Sequence, residues 1–259
     1  MPDAVALHHE DAGPENAHVV LMGASLGTTL AMWDEQVAPL AERFRVVRFD
    51  HRGHGGSPVA PGPYTIADMG GDVIALLDAL GVERASYVGL SIGGMVGIWL
   101  GANAPERIER LALVCTSAHL PPPEGWEERA AEVEDAGTVE VVLEGVMARW
   151  LTPEYAAAHP EAVEKLSGML TATSPEAYAA CCRALGAMDL REDLGRIRAP
   201  TLVVAGAQDP STPPDHGEAI AAAIAGARFE LLDPSAHIAA IERGDDVTRL
   251  LLDHLAPAA

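Results

Sequence analysis

The sequence predicts an α/β protein: one mostly parallel, twisted sheet with helices on both faces and an inserted all-helical segment. Two observations carry this. Short apolar runs alternate with stretches of helical spacing through the first part of the chain and again near its end. Between them, after Pro121-Pro122-Pro123, the alternation breaks, and residues 124–194 carry helical stretches with no strand pattern. A length of 259 residues suits one substantial domain with an insertion better than two ordinary enzyme domains. The expected division is a core of residues 1–118 and 195–259 with a helical lid over 119–194. Such a lid would lie over the strand ends, where ligands bind in open α/β sheets, and would have no core of its own.

In chain order, a weak strand over 4–9 and a polar turn through Gly13-Pro14-Glu15-Asn16 lead to the apolar strand His18-Val19-Val20-Leu21-Met22. Helical spacing over 33–42 (Trp33, Val37, Leu40, Ala41) and a strand over 44–49 make a right-handed crossover unit. Thr65 with Asp68 three residues on predicts a capped helix through Leu80 that stops at Gly81. A strand over 85–88, a sharp turn, a helix and a strand over 110–115 follow. The insertion contains helical stretches over 126–136, 138–150, 160–171 and 174–187. Alternation resumes with a strand over 200–206, a helix over 215–224, a strand over 228–232 and a closing helix over 246–255.

The turn after the 85–88 strand reads Gly89-Leu90-Ser91-Ile92-Gly93, a G-x-S-x-G pattern set between a strand and a helix. This is the context of a nucleophile elbow, in which a serine on a strained turn stands exposed above the sheet. Glycines suit its flanks because side chains there would collide with neighbouring backbone. The pattern recurs at Gly23-Ala24-Ser25-Leu26-Gly27, where Thr28 and Thr29 separate it from the next helical residues. Ser91 is therefore the candidate nucleophile. A serine hydroxyl needs a base to take its proton and a carboxylate to hold that base in the correct tautomer. In the chain order serine, acid, histidine, three histidines remain: His216 at a helix start, His254 on an amphipathic helix expected to face solvent, and His237, which follows a strand directly. Asp209, after the 200–206 strand, leaves room for one helix and one strand before His237; Asp215 and Asp233 are placed less well. The second serine loop then supplies the oxyanion hole, with the N–H groups of Leu26 and Ile92 as donors and Ser25 as a neighbour.

A formal net charge of −21, from 38 acidic residues against 17 Lys plus Arg, makes nucleic acid and anionic membrane poor partners. Three cysteines, two of them adjacent, with no leader-like or membrane-spanning run, read as small buried hydrophobes in a reducing cytoplasm. The sequence leaves a homo-oligomer open.

Several segments resemble the α/β-hydrolase superfamily and, within it, the 3-oxoadipate enol-lactonases, over nearly the whole chain. They include Ser25-Leu26-Gly27-Thr28, Asp50-His51-Arg52-Gly53-His54-Gly55, Gly89 to Met95, Thr116-Ser117-Ala118-His119, Arg149-Trp150-Leu151-Thr152-Pro153, Tyr178 to Arg183, Met188-Asp189-Leu190-Arg191, and Ala207-Gln208-Asp209 through Pro214. The segments that hold Ser91, Asp209 and His237 are shared by many hydrolases; those in the insertion favour the lactonases. The resemblance implies the α/β-hydrolase fold, acyl-enzyme chemistry on Ser91, His237 and Asp209 with Leu26 and Ile92 as oxyanion donors, no metal or cofactor, and opening of a small anionic enol-lactone in aromatic catabolism. A carboxylesterase, another lactonase or a cofactor-free perhydrolase is the alternative, and a non-catalytic ligand receptor the next. An anionic substrate needs a local cation, for which Arg149 beside Trp150, or Arg129 near Trp126, are the candidates. The loop begins Met22-Gly23-Ala24 where the superfamily usually has His-Gly, a change that backbone donors survive.

Overall fold

The computed structural model describes residues 4–256. Its order is β1 (His9–Ala12), β2 (Val19–Gly23), α1 (Asp34–Ala41), β3 (Arg45–Phe49), α2 (Ile66–Ala79), β4 (Ala85–Leu90), α3 (Ile92–Asn103) and β5 (Ile108–Val114). Five helices follow: α4 (Pro123–Ala136), α5 (Leu143–Trp150), α6 (Pro153–Ala158), α7 (Pro160–Thr171) and α8 (Pro175–Ala187). The chain closes with β6 (Thr201–Gly206), α9 (Pro214–Ala223), β7 (Arg228–Leu232), α10 (Ala239–Glu242) and α11 (Gly244–Leu255).

The strands form one seven-stranded sheet in the order β1-β3-β2-β4-β5-β6-β7. Only β1 runs antiparallel, against β3. Strands β2, β4 and β6 are buried at every position, as expected of parallel strands covered by helices on both faces. The strand order reverses between β2 and β4, which pair directly with Gly23 opposite Gly89. Both candidate serine loops therefore leave the sheet at its topological switch point, the usual ligand crevice of such sheets.

The Thr65 cap is a reciprocal capping box: Asp68 N–H donates to Thr65 Oγ1 at 3.1 Å and Thr65 N–H to Asp68 Oδ2 at 2.9 Å. Helix α2 is followed by Gly81 at φ +66. The helical segment between β5 and β6 contributes Val146, Trp150, Leu166, Leu170, Tyr178 and Leu185 to the same hydrophobic core as the sheet.

Several expectations are corrected. The first strand lies at His9–Ala12, not 4–9, because amides of the earlier stretch bond to side chains: Val5 N–H donates to Asp72 Oδ1 at 2.7 Å and His8 N–H to Ser57 Oγ at 2.8 Å. His254 does not face solvent; it is half-buried with Nε2 at 3.0 Å from the Leu111 carbonyl, and burial pulls its pKa down to about 4. Helices α6 and α10 add to the expected elements; they are short and carry no hydrophobic period. Residues 30–33 form a 3₁₀ turn capped by Thr29, which joins the serine loop to α1.

Candidate active site

Ser91 is the turn between β4 and α3, with φ 58 and ψ −119, one of two non-glycine residues at positive φ among those described. That conformation costs on the order of 1–3 kcal/mol and is maintained only where the surroundings over-determine it. Here they do. A Cβ on Gly89 would strike the Gly93 carbonyl, and one on Gly93 the Gly23 carbonyl, so the elbow and the first serine loop touch backbone to backbone. Thr116, just after β5, donates its hydroxyl to the Ser91 carbonyl at 2.6 Å and sits 2.6 Å from where a Gly94 Cβ would lie.

Asp209 follows β6 and is 3% exposed. Its Oδ1 accepts the Ser211 and Thr212 amides at 2.8 and 3.1 Å; Oδ2 accepts the Thr212 hydroxyl at 2.7 Å and His237 Nδ1 at 2.8 Å. Burial pushes this carboxyl up, but the His237 charge, with the hydrogen bonds from His237 and Thr212, outweighs it and holds the group below the usual carboxylate range. Because Nδ1 donates to Asp209, Nε2 is the ring nitrogen left to take a proton. His237 follows β7, and it lines one cleft together with Ser91, Ser25 and Leu26. No Ser91–His237 hydrogen bond is made among the described residues, an ordinary state for a site without substrate.

The loop carrying Leu26 is fixed by two buried histidines. His54 Nδ1 donates to the Arg52 carbonyl at 3.1 Å and its Nε2 accepts the Gly27 amide at 3.0 Å, while His51 Nε2 donates to the Ala24 carbonyl at 3.1 Å. Thr28 N–H turns back to the Ser25 carbonyl at 3.1 Å. The amides beyond Leu26 are thus committed, and Leu26 itself borders the cleft.

Burial, helped by the neighbouring His54, pulls the His51 pKa from 6.5 down to about 3, and burial lowers His54 in the same direction. The unfolded chain takes up these protons near pH 6.5, so below that pH it binds more protons than the folded chain and stability falls as pH falls. The thermal midpoint should drop by about 5 °C or more between pH 7 and 4.5. A scan by circular dichroism that stays flat over that window would remove this account.

The empty space between the cleft walls, counted together with the open solvent at its mouth, is about 460 Å³. Its outer wall comes from α4, α5 and α8: Trp126, Arg129, Val146, Arg149, Trp150, Tyr178 and Leu185. Ser25, Trp126, Arg149 and Trp150, the residues offered from the sequence as substrate contacts, all line this cleft. Arg129 lies over the Trp126 ring at 5.0 Å. Neither Arg129 nor Arg149 makes an ion pair among the described residues, in a chain with 38 acidic side chains. Burial and the Arg129 charge lower the Arg149 pKa. Sequence reasoning missed Thr212 as a second partner of Asp209, although its three-residue spacing is local, and it missed the two loop histidines and Thr116, which carry no spacing signal because they act on backbone brought near by the fold. Among the described residues no group of three or more His, Cys, Asp or Glu is placed to hold a metal ion, and no helix is long and apolar enough to cross a membrane.

Comparison with known proteins agrees with this fold. The family described as alpha/beta hydrolase fold matches residues 17–136 and 151–244. The chain is 39% identical to 3-oxoadipate enol-lactonase 2 of Acinetobacter baylyi over 92% of this chain and 89% of that one. It is 36% identical to a Caulobacter sp. protein named "Putative carbamate hydrolase RutD", over 80% of each. The solved enol-lactonase of Burkholderia xenovorans LB400 superposes with a TM-score of 0.94 at 41% identity, covering 97% of this chain and 96% of that one. The chain belongs to the alpha/beta hydrolase fold family, as a hydrolase similar to the 3-oxoadipate enol-lactonases.

Proposed function

We propose that the protein opens a small anionic lactone by acyl transfer to Ser91, with 3-oxoadipate enol-lactone as the best-fitting substrate. The observation that carries the anionic part is the pair of arginines, Arg129 and Arg149, facing the nucleophile's cleft without a carboxylate partner among the described residues. In a chain of net charge −21 such a pair has to be matched by something, and a substrate carboxylate fits.

In this reading Ser91 Oγ attacks the lactone carbonyl as His237 Nε2 takes its proton, and Asp209 steadies the resulting imidazolium. The Leu26 and Ile92 N–H groups receive the oxyanion. Collapse breaks the ring C–O bond, and His237 returns the proton to the departing enol oxygen. The leaving group stays tethered to the acyl chain, so the cleft has to hold one opened, linear fragment. Water then attacks the acyl-enzyme with His237 again as base, releasing the acid and Ser91. The enol relaxes to the ketone. Residues 119–194 act as a lid that keeps this chemistry from bulk water, over a core of 1–118 and 195–259. Free, buried Cys115, Cys181 and Cys182 support a cytoplasmic setting.

The test compares kcat/KM on the enol-lactone, generated in place from its unsaturated precursor, with that on a neutral ester of similar size. Arg149→Ala should raise KM for the anionic lactone by about tenfold or more while changing the neutral ester by less than about threefold. Equal preference in the parent enzyme would point to a carboxylesterase, and turnover of carbamates to the reaction named for the second relative. A protein that binds the lactone without turnover would be a receptor. Loop fixation gives a further expectation: His54→Gln, whose Oε1 reaches the Nε2 position as an acceptor for Gly27 N–H, should keep most of kcat, whereas His54→Leu should lose about tenfold or more. Steady-state kinetics on one ester decides it.

A further inference from the structure

Glu242 closes α10, five residues after His237, and is 9% exposed. Its two oxygens face opposite ways. Oε2 accepts the Ala236 amide at 2.7 Å, immediately before His237. Oε1 accepts both the amide of Thr152, at 3.2 Å, and its hydroxyl. Thr152 lies between α5 and α6, two residues after Trp150, which lines the cleft, and its hydroxyl also accepts the Tyr155 amide at 3.3 Å as the cap of α6. Two more bonds run between the same stretches: Ile238 N–H to the Trp150 carbonyl at 2.9 Å, and the Tyr155 hydroxyl to the Ile241 carbonyl at 3.1 Å. Both backbone amides that flank His237 are therefore held by the helical segment or by the carboxylate bonded to it. From the sheet side the same turn is met by the Cys115 thiol at 3.9 Å from the Ala236 carbonyl, by Gln208, whose Oε1 accepts the Ser235 amide at 2.7 Å and whose backbone amide reaches the Ser235 carbonyl at 2.8 Å, and by Asp209 on the His237 ring.

We propose that Glu242 is a positioning residue that sets the place of the His237 ring and couples it to the cleft wall formed by α5. A ligand that settles against Val146, Arg149 and Trp150 then also settles the base, through Trp150 and Thr152. With three donors on two oxygens, the side chain has to be an acceptor at both ends. A carboxamide has one acceptor end, so Glu242→Gln leaves an N–H opposed to N–H either at Ala236 or at Thr152. The inference rests on the reading of His237 as the base, so the test includes a measurement that does not use turnover.

The experiment compares the parent with Glu242→Gln, Thr152→Val and Thr152→Ser. It measures kcat and KM on a neutral acyl ester, labelling of Ser91 by a phosphonate, and the low-field proton resonance of His237 Nδ1–H against Asp209. Glu242→Gln should lower kcat by about tenfold to a hundredfold with KM within about twofold, the scale of a misplacement near 1 Å, and should shift or broaden the low-field resonance. Thr152→Val should do the same to a smaller degree. Thr152→Ser, which keeps the hydroxyl, should restore parent values. The double variant Glu242→Gln with Thr152→Val should cost less than the product of the two, since both cut one link. An unchanged resonance with unchanged kcat in folded Glu242→Gln protein overturns the proposal, and so does equal damage from Thr152→Ser and Thr152→Val. If the parent neither labels nor turns over while the resonance still responds to Glu242→Gln, the catalytic reading has failed and the positioning of His237 stands.

Discussion

Ser91→Ala is expected to lower kcat on an activated ester or the lactone by about 10⁴-fold or more, with substrate binding kept, because Ser91 is the one hydroxyl-bearing residue of the turn from Gly89 to Gly93. The rival serine provides the control. Ser25 has its carbonyl tied to the amide and hydroxyl of Thr28, and it is 1% exposed. Ser25→Ala should cost less than about tenfold, a figure set by small shifts of the Leu26 amide. Burst-phase hydrolysis with both variants reads the difference, and undiminished turnover in Ser91→Ala would end the acyl-enzyme mechanism. The backbone adds a second reading. Alanine at φ 58 has the same steric conflict as serine, whereas glycine does not. Ser91→Gly should therefore be inactive and yet unfold no lower than Ser91→Ala, by about 1 kcal/mol in its favour. Thermal melts of the two inactive proteins side by side measure it.

Asp209→Asn is the second large effect, also expected near 10⁴-fold in kcat, a magnitude borrowed from other serine hydrolases with this arrangement. The cause here can be followed atom by atom. Oδ1 is claimed by the Ser211 and Thr212 amides, which require an acceptor, so the asparagine oxygen stays with them. The amide nitrogen is left facing His237 Nδ1 and donates to it. The proton then sits on Nε2, and the base has no lone pair for Ser91. The variant should fold, since the loop bonds survive, and nitrogen-15 spectra of the histidine should show the exchanged tautomer. Retention of the parent tautomer together with full activity would remove Asp209 from the mechanism.

Much of this arrangement was legible in the chain because it is written in local patterns. The strand, turn and helix around Ser91 are contiguous, and glycine at 89 and 93 announces a contact that only a missing side chain permits. The parallel strands appear as unbroken apolar runs, and the Thr65–Asp68 box as a three-residue spacing. Other parts are contacts between distant segments. Glu242 looks like one more acid among 38, and only the fold sets it between residues 152 and 236. His254 reads as the polar side of an amphipathic helix, yet its ring reaches the Leu111 carbonyl of a buried strand. The edge strand differs for a related reason: apolar residues at 4–7 suggest pairing, but the Val5 amide goes to the Asp72 side chain on α2 and the His8 amide to Ser57.

Residues 119–190 leave and re-enter the sheet at nearly one point. Strands β5 and β6 are neighbours, and the neck between them is pinched by the His119–Asp189 bridge and by Leu190 N–H on the Ala118 carbonyl at 2.8 Å. With its ends already joined, the segment behaves as a cassette: it can be lengthened, shortened or exchanged between relatives at little cost in loop-closure entropy and without a change of strand register. Substrate range can then evolve by swapping the wall while the sheet keeps the chemistry. A transplanted cassette carries obligations to its host: apolar residues for the shared core, a carbonyl at 150 for the Ile238 amide, and a hydroxyl and an amide at position 152 for the waiting carboxylate of Glu242.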